Sequence, residues 1–493
     1  MLASSIIVGF VLMPFVIHCL GKIAYGFWTL LQSLISYTFL LDFGVRSSLN
    51  RHLAKFYAQH EHSKANQVIN TGLVVYLVVC AAVIAVSVLL AASFNRFFSF
   101  PELSHSTIFW AVTLVGSSVA LQFPAAVFSA GLTGMQRYDL MNLAQFLSLL
   151  IRTILILLVL KEGHGVLAVS LATFVASLLN LLLEYGFSLK VCPQIRLRFS
   201  LADWNTLRML STHSIYAFIL LAATRVITDT GNIIVGAFFG AAAVTLYGIA
   251  GTLTVYATNL ISGISTTISP AASELEAKGE TEALGALCIS GTKFIMLSGM
   301  PILLTFILSG KLFIKLWLGE EFLASYPVLV LLSTSWSFNY LQSAAGCVLM
   351  GLSRHKIAAW LVMIQAMLCV SLAIFLADRM GMIGVAWGAL ISSALMNLIF
   401  QVHALRLLRI PLTRFLRDAL LPVAVSLVPF VVVSKLLFHA SPANGLLVYF
   451  LQVVFAIAAM GIFLPWTALN RGERRRVQLF FNRWLPLQRS FPT

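Results

Sequence analysis

Charge is what this chain has least of. Only 10% of its 493 residues are Asp, Glu, Lys or Arg, 60% are hydrophobic, and the mean hydropathy is +0.95. So few polar groups cannot clothe a water-exposed surface, which excludes a soluble globular domain and leaves a polytopic membrane protein. Paired cysteines are missing too. Cys19, Cys80, Cys192, Cys288, Cys347 and Cys369 are scattered, mostly within apolar runs, and no C-x-x-C pair offers a metal or redox centre. There is no Gly-rich phosphate-binding loop, so ATP hydrolysis by this chain is not expected. No loop holds paired carboxylates or a His/Cys cluster, and none is long enough to form a catalytic domain; a membrane glycan polymerase or ligase is therefore disfavoured, and no cofactor is implied. Residues 1–20 are apolar but lack a basic n-region and an A-x-A site, so they read as a first span and not as a cleaved signal.

What is present is a series of apolar runs. Because about 20 apolar residues cross a bilayer, the sequence predicts fourteen spans: 3–20, 24–45, 68–93, 107–131, 139–160, 165–187, 209–235, 242–267, 286–308, 325–350, 357–377, 382–405, 416–437 and 445–467. Basic residues then divide unevenly between the two sides. Arg46, Arg51, Lys55, Lys64, Lys190, Arg196, Arg198, Arg208, Lys278, Lys293, Arg406, Arg409, Arg414 and Arg417 fall on one side, with the tail residues Arg471, Arg474, Arg475 and Arg476; the other side holds few, among them Arg96, Lys161 and Arg379. The positive-inside rule places both termini in the cytoplasm. The net charge of +15 is thereby explained as a topology signal, nucleic acid is not an expected partner, and the "RGERRR" tail reads as an anchor to anionic membrane lipids.

The chain also repeats itself. "LTGMQR" (Leu132 to Arg137) is echoed by "LMGLSR" (Leu349 to Arg354) at an offset of 217. The same offset relates Leu178, Asn180 and Leu181 to Leu395, Asn397 and Leu398, while Tyr25-Gly26 matches Tyr247-Gly248 at 222. These matches lie six spans apart, and an even shift preserves direction through the membrane, so parallel repeats are expected. The predicted organisation is a six-helix lobe over 1–190, a second over 205–408, two extra helices over 413–467 and a basic cytoplasmic tail over 468–493. Two such lobes normally enclose a central cavity that opens alternately to either side.

Few charges lie at membrane depth. Each costs roughly 2.5–3.5 kcal/mol near the bilayer centre, so each should face water or a partner. In "LLDFGVRSSLNRHLAK" (40 to 55), Asp42, Arg46 and Asn50 are spaced four and four, which predicts one side of a continuing helix at the inner end of span two. Arg225, Asp229 and Asn232 form one stripe, and the first two are either a self-satisfied pair or part of a substrate site. Arg152 has no acidic residue within a helical turn; Glu184 on another helix or an anionic substrate would compensate it. Arginine suits phosphate because its planar fork binds two oxygens. Asn259, with Ser262 and Thr266, and Asn339, with Gln342, are polar faces that hold helices together or meet sugar hydroxyls. Asp42, Arg46, Arg152, Arg225, Asn259 and Asn339 are thus candidate substrate residues, and Asp229 and Glu184 candidates for ion coupling.

Three stretches carry a family resemblance. "LGKIAYGFWTLLQSLISYTFLLDFGVRSSLNRHLAK" (20 to 55) resembles the opening of bacterial lipid-linked oligosaccharide flippases, the Wzx-type O-antigen and polysaccharide transporters of the multidrug, oligosaccharidyl-lipid and polysaccharide exporter superfamily. "DTGNIIVGAFFGAAAVTLYGIAGTLTVYATNLISGISTTISPAASEL" (229 to 275) is similar to that family's seventh and eighth helices, and "KLWLGEEF" (315 to 322) to its outer segment before helix ten. The resemblance implies an all-α transporter of twelve to fourteen helices in the bacterial inner membrane. Its implied substrate is an undecaprenyl-pyrophosphate-linked glycan repeat unit, with a glycan polymerase and chain-length machinery as further partners. Two rival readings remain: a multidrug exporter of the same superfamily, whose cationic substrates favour an acidic interior, and a lipid scramblase or scaffold, which needs no deep charge.

Overall fold

A computed structural model describes residues 2–98, 100–210, 215–352, 354–440 and 443–468. The basic tail, with Arg471 to Arg476, lies outside the described residues. The fold is all-α. In chain order the helices are α1 (Leu2–Ser36), α2 (Val45–Ala58), α3 (His62–Phe97), α4 (His105–Ala120), α5 (Gln122–Gly134), α6 (Tyr138–Lys161), α7 (Val166–Val191), α8 (Trp204–Leu210), α9 (Ile215–Ala277), α10 (Thr281–Trp317), α11 (Tyr326–Gly351), α12 (His355–Met380), α13 (Met382–Leu407), α14 (Leu412–Phe415), α15 (Leu421–Ala440) and α16 (Leu446–Thr467).

Among the described residues, 11 helices are long and apolar enough to cross a membrane. Among the described residues each of the fourteen expected spans is mostly helical, and the difference in number has two causes. First, α1 and α9 each carry two expected spans, joined at Gly21 (φ 78, ψ 170) and Gly240 (φ 75, ψ −175) without an intervening loop. That backbone conformation belongs to glycine, since a Cβ would clash. Second, α11 forms over the expected span 325–350 but is diluted by Ser333, Thr334, Ser335, Ser337 and Asn339, and it is not among the 11.

The expectation of one helix continuing through Asp42 and Arg46 is corrected. A 3-10 turn occupies Tyr37–Asp42, then Phe43 (φ 44) and Gly44 (φ 79) are both left-handed, and α2 begins at Val45. Two successive left-handed residues end a helix as a C-terminal cap does. Lys293, grouped with the inner loops by charge, is likewise corrected: it lies inside α10 and is 2% exposed.

The repeat reappears as geometry. Arg137 N–H donates to the Leu132 carbonyl at 2.9 Å and Arg354 N–H to the Leu349 carbonyl at 3.0 Å, the same closure 217 residues apart. A Cβ on Gly134 would sit 3.1 Å from the Ala54 nitrogen, and one on Gly351 would sit 2.5 Å from the Ser269 carbonyl oxygen and 3.2 Å from the Ser273 nitrogen. Gly21 and Gly240, at an offset of 219, share one conformation.

The chain forms two compact units: Met1–Thr252 with His355–Ser392, and Leu253–Arg354 with Ser393–Thr493. In the first, Phe27 packs edge-on against Phe94 and Phe100 at 5.4 and 5.3 Å. Here α1 and α9 run antiparallel at close range. A Cβ on Gly26 would lie 2.0 Å from the Ala241 carbonyl oxygen, and Thr245 Oγ1 donates to the Lys22 carbonyl at 2.5 Å. In the second unit α15 packs on α10 and α16, with Phe430, Ala456 and Leu297 in its core. Lys293 Nζ donates to the Ala468 carbonyl at 3.0 Å and Tyr449 shares a hydrogen bond with Ser309 at 2.8 Å, tying α16 to α10 at both ends.

Candidate functional site

Six of the eight candidate residues fall in the first unit, and Asp42, Arg46, Arg225, Asp229 and Glu184 gather about the segment from Ser33 to Arg46. Along its first part, polar side chains of α1 and of the 3-10 turn that follows pair with those of α9 in antiparallel register. Asn232 Nδ2 donates to Ser33 Oγ at 2.9 Å, Ser36 Oγ donates to Asp229 Oδ2 at 2.7 Å, and Tyr37 meets Thr230. Phe43 stacks on Phe218 at 5.2 Å.

Arg225 completes this ladder. Its Nη1 lies 3.6 Å from Asp229 Oδ2, an ion-pair distance longer than a hydrogen bond, and its guanidinium sits over the Phe39 ring at 5.6 Å. The Arg225 side chain is 36% exposed and that of Asp229 21%. Asp229 thus receives its shorter bond from Ser36, and Arg225 keeps an accessible fork beside it. The pairing allowed by four-residue spacing does form, but loosely.

The second cluster surrounds the break at Phe43–Gly44. Asp42 Oδ1 accepts from the buried Tyr76 hydroxyl of α3, and its Oδ2 accepts from Gly44 N–H at 3.2 Å. The break therefore supplies one of the donors that hold Asp42. Arg46, exposed on the first turn of α2, acts electrostatically on both Tyr76 and Glu184. Glu184 is 2% exposed and lies beside the side chains of Asn180 and Gln145. Arg152, half-buried on α6, lies seven residues beyond Gln145, about 10 Å along the same helix face.

Asn259 and Asn339 belong to the second unit and are both half-buried. Asn259 lends its carbonyl to Ser262 Oγ at 2.7 Å, and Asn339 donates to the Ser335 carbonyl of its own helix at 3.2 Å. Tyr76 and Gln145 are residues that the sequence reading missed. Neither forms a charged stripe on its own helix, and only its neighbour on another element marks it.

Comparisons with known proteins bear on what such a fold does. The profile of a family described as polysaccharide biosynthesis protein matches residues 16–327. A protein of Bacillus subtilis (strain 168), described as uncharacterized membrane protein EpsK, is 21% identical over 464 residues, 90% of each chain. The structure of the lipid II flippase MurJ in an inward closed conformation covers 98% of both chains with a TM-score of 0.72 and 13% identity. A multidrug resistance MATE family transporter of the MOP superfamily, in an inward-facing conformation, gives 0.71 at 12% identity over 79% of this chain and 91% of the other. At these identities the structural likeness is one of fold.

Proposed function

This chain belongs to the polysaccharide biosynthesis protein family, and from that premise we propose that it is a flippase that moves undecaprenyl-pyrophosphate-linked oligosaccharide repeat units outward across the cytoplasmic membrane. The product would feed O-antigen, capsule or exopolysaccharide assembly, where a glycan polymerase and chain-length machinery act next. The two six-helix lobes, 1–190 and 205–408, would alternate access, with the helices of 413–467 as an appendix. The lipid tail stays in the bilayer, so only the head group needs shelter.

The observation that carries this reading is Arg225: a guanidinium on a helix long and apolar enough to cross a membrane, 36% exposed and held 3.6 Å from a carboxylate that takes its shorter bond elsewhere. A planar fork in that state suits a pyrophosphate. Arg46 and Arg152 would receive further phosphate oxygens, Asp42 would line the inner mouth, and Asn259 and Asn339 would meet sugar hydroxyls. An inside-negative potential favours outward transfer of anionic charge by roughly 2.3 kcal/mol per charge per 100 mV. Glu184 and Asp229 are the groups able to couple an ion to the same step.

Expression in a panel of flippase-null strains with different surface glycans tests the proposal. Restored export in at least one strain supports it. No restoration, combined with expulsion of cationic dyes, favours a small-molecule exporter, the reading to which the acidic pair Glu184 and Asp229 would also contribute. Topology is tested separately: cysteines at Lys64 and Arg409 should react with impermeant thiol reagents only after permeabilisation, and one at Arg96 in intact cells.

A further inference from the structure

The connection between α7 and α9 is held in an unusual way. Asn66 and Asn70, one helical turn apart on α3, each clasp its backbone from both sides. Asn66 Nδ2 donates to the Gln194 carbonyl at 2.9 Å while its Oδ1 accepts from Arg196 N–H at 2.8 Å. Asn70 Nδ2 donates to the Arg196 carbonyl at 2.7 Å and its Oδ1 accepts from Arg198 N–H at 2.8 Å. Each side-chain amide thus behaves as a peptide unit of a neighbouring parallel strand. The match is dimensional: four residues of helix rise about 6 Å, and two residues of extended chain span about 6.7 Å. Thr71 Oγ1 then accepts from Asp203 N–H at 3.1 Å, fixing the far end.

This clamp pairs backbone groups of Gln194, Arg196 and Arg198 and leaves the basic and aromatic side chains of the strap outward, while Cys192 and Ile195 are buried. Lys190, Arg196 and Arg198 are exposed. Phe199 is 68% exposed and Trp204 76%. The sole acid between residues 190 and 210 is Asp203, and its carboxylate is occupied by the N–H and hydroxyl of Thr206 at 2.9 and 3.1 Å. Cations beside bare aromatic rings, just beyond the end of a membrane-spanning helix, have the composition of a headgroup-level interface.

We propose that the strap from Lys190 to Trp204 is a docking surface for anionic phospholipid headgroups, with Arg196 and Arg198 meeting the phosphates and Phe199 and Trp204 lying at the level of the glycerol backbone. The Asn66–Asn70 clamp presents it. This inference does not depend on the identity of the transported substrate.

The test uses the full-length protein in vesicles of phosphatidylcholine alone, or of phosphatidylglycerol and phosphatidylcholine in equal parts, with bromine on the acyl chains of one lipid at a time. The difference between the protein and its Trp204→Phe variant isolates one of nine tryptophans. Brominated phosphatidylglycerol should quench Trp204 more strongly than brominated phosphatidylcholine. Each cation near an anionic surface raises local lipid occupancy about fivefold, so Arg196→Gln/Arg198→Gln should abolish the preference. Asn70→Ala should weaken it with both arginines in place. Equal quenching by the two lipids, or an unchanged preference in the double variant, overturns the proposal. So does quenching by aqueous acrylamide with no effect of either lipid, the result expected of a surface that faces water or a protein.

Discussion

The two repeats begin alike and diverge at one glycine. At an offset of 219, Asp42-Phe43-Gly44-Val45-Arg46 stands opposite Ile261-Ser262-Gly263-Ile264-Ser265, and Arg51 opposite Pro270. In the first repeat the chain breaks there, with two left-handed residues, and Asp42 is held by Tyr76 and by a backbone N–H that the break exposes. In the second, α9 runs through Gly263 without interruption, and the position of Asp42 is taken by Ile261, 4% exposed. Asp42 thus sits where the backbone has left its helical ladder and lent out a donor. An unbroken helix keeps its N–H groups for itself, so a buried charge on one, such as Glu184, has to find its partners among side chains or beyond its own helix.

The largest expected effect probes what both repeats share, the close approach of α1 and α9. Gly26→Ala would place a methyl 2.0 Å from a backbone oxygen that has no room to yield. The variant should be lost from the membrane fraction on a blot, whereas Gly263→Ala, with nothing within 4 Å of the new Cβ, should be present at normal level.

Next in size is the ladder charge. Arg225→Ala should abolish glycan export at unchanged membrane level, and Arg225→Lys should restore part of it, because the charge survives although the fork is lost. If Arg225 serves only to neutralise Asp229, then Arg225→Ala/Asp229→Ala should export better than either single variant, since no charge is left without its counterpart. A functional double variant would remove Arg225 from the substrate site.

A smaller contrast separates equivalent positions. Arg46→Ala should lower export while Ser265→Ala, which removes only a 3.2 Å hydrogen bond to Ser343, should leave it unchanged. Equal losses would erase the distinction drawn between the repeats. The smallest effect is one of sign. Gly44→Ala forces a side chain into the left-handed region and should cost about 1–2 kcal/mol; Gly263→Ala in mid-helix should gain about 1 kcal/mol. Melting temperatures in detergent should therefore move in opposite directions.

Much of the fold was legible because the bilayer enforces a length: an apolar run of some 20 residues has few alternatives to a helix. The repeat was legible through two Gly-x-x-Arg corners whose hydrogen bonds are the same. What could not be read was the break at Phe43–Gly44. The four-residue spacing of Asp42, Arg46 and Asn50 mimics a helical stripe, and a left-handed phenylalanine carries no signal of its own. The loose Arg225–Asp229 pair was foreseeable from spacing on one helix. Ser36, which takes the shorter bond, was visible only as a polar face of another helix. The Asn66–Asn70 clamp shows the same limit: two asparagines four apart announce a polar stripe, but not that the stripe holds backbone 126 to 130 residues away.

The buried Lys293 has a consequence in time. Its acceptor, the Ala468 carbonyl, lies 175 residues further along the chain. At synthesis rates of about 5–20 residues per second, the ammonium waits about 10–35 seconds for that oxygen to emerge from the ribosome. That hydrogen bond closes only once α16 has been made, so the tie between α10 and α16 is among the late contacts of folding.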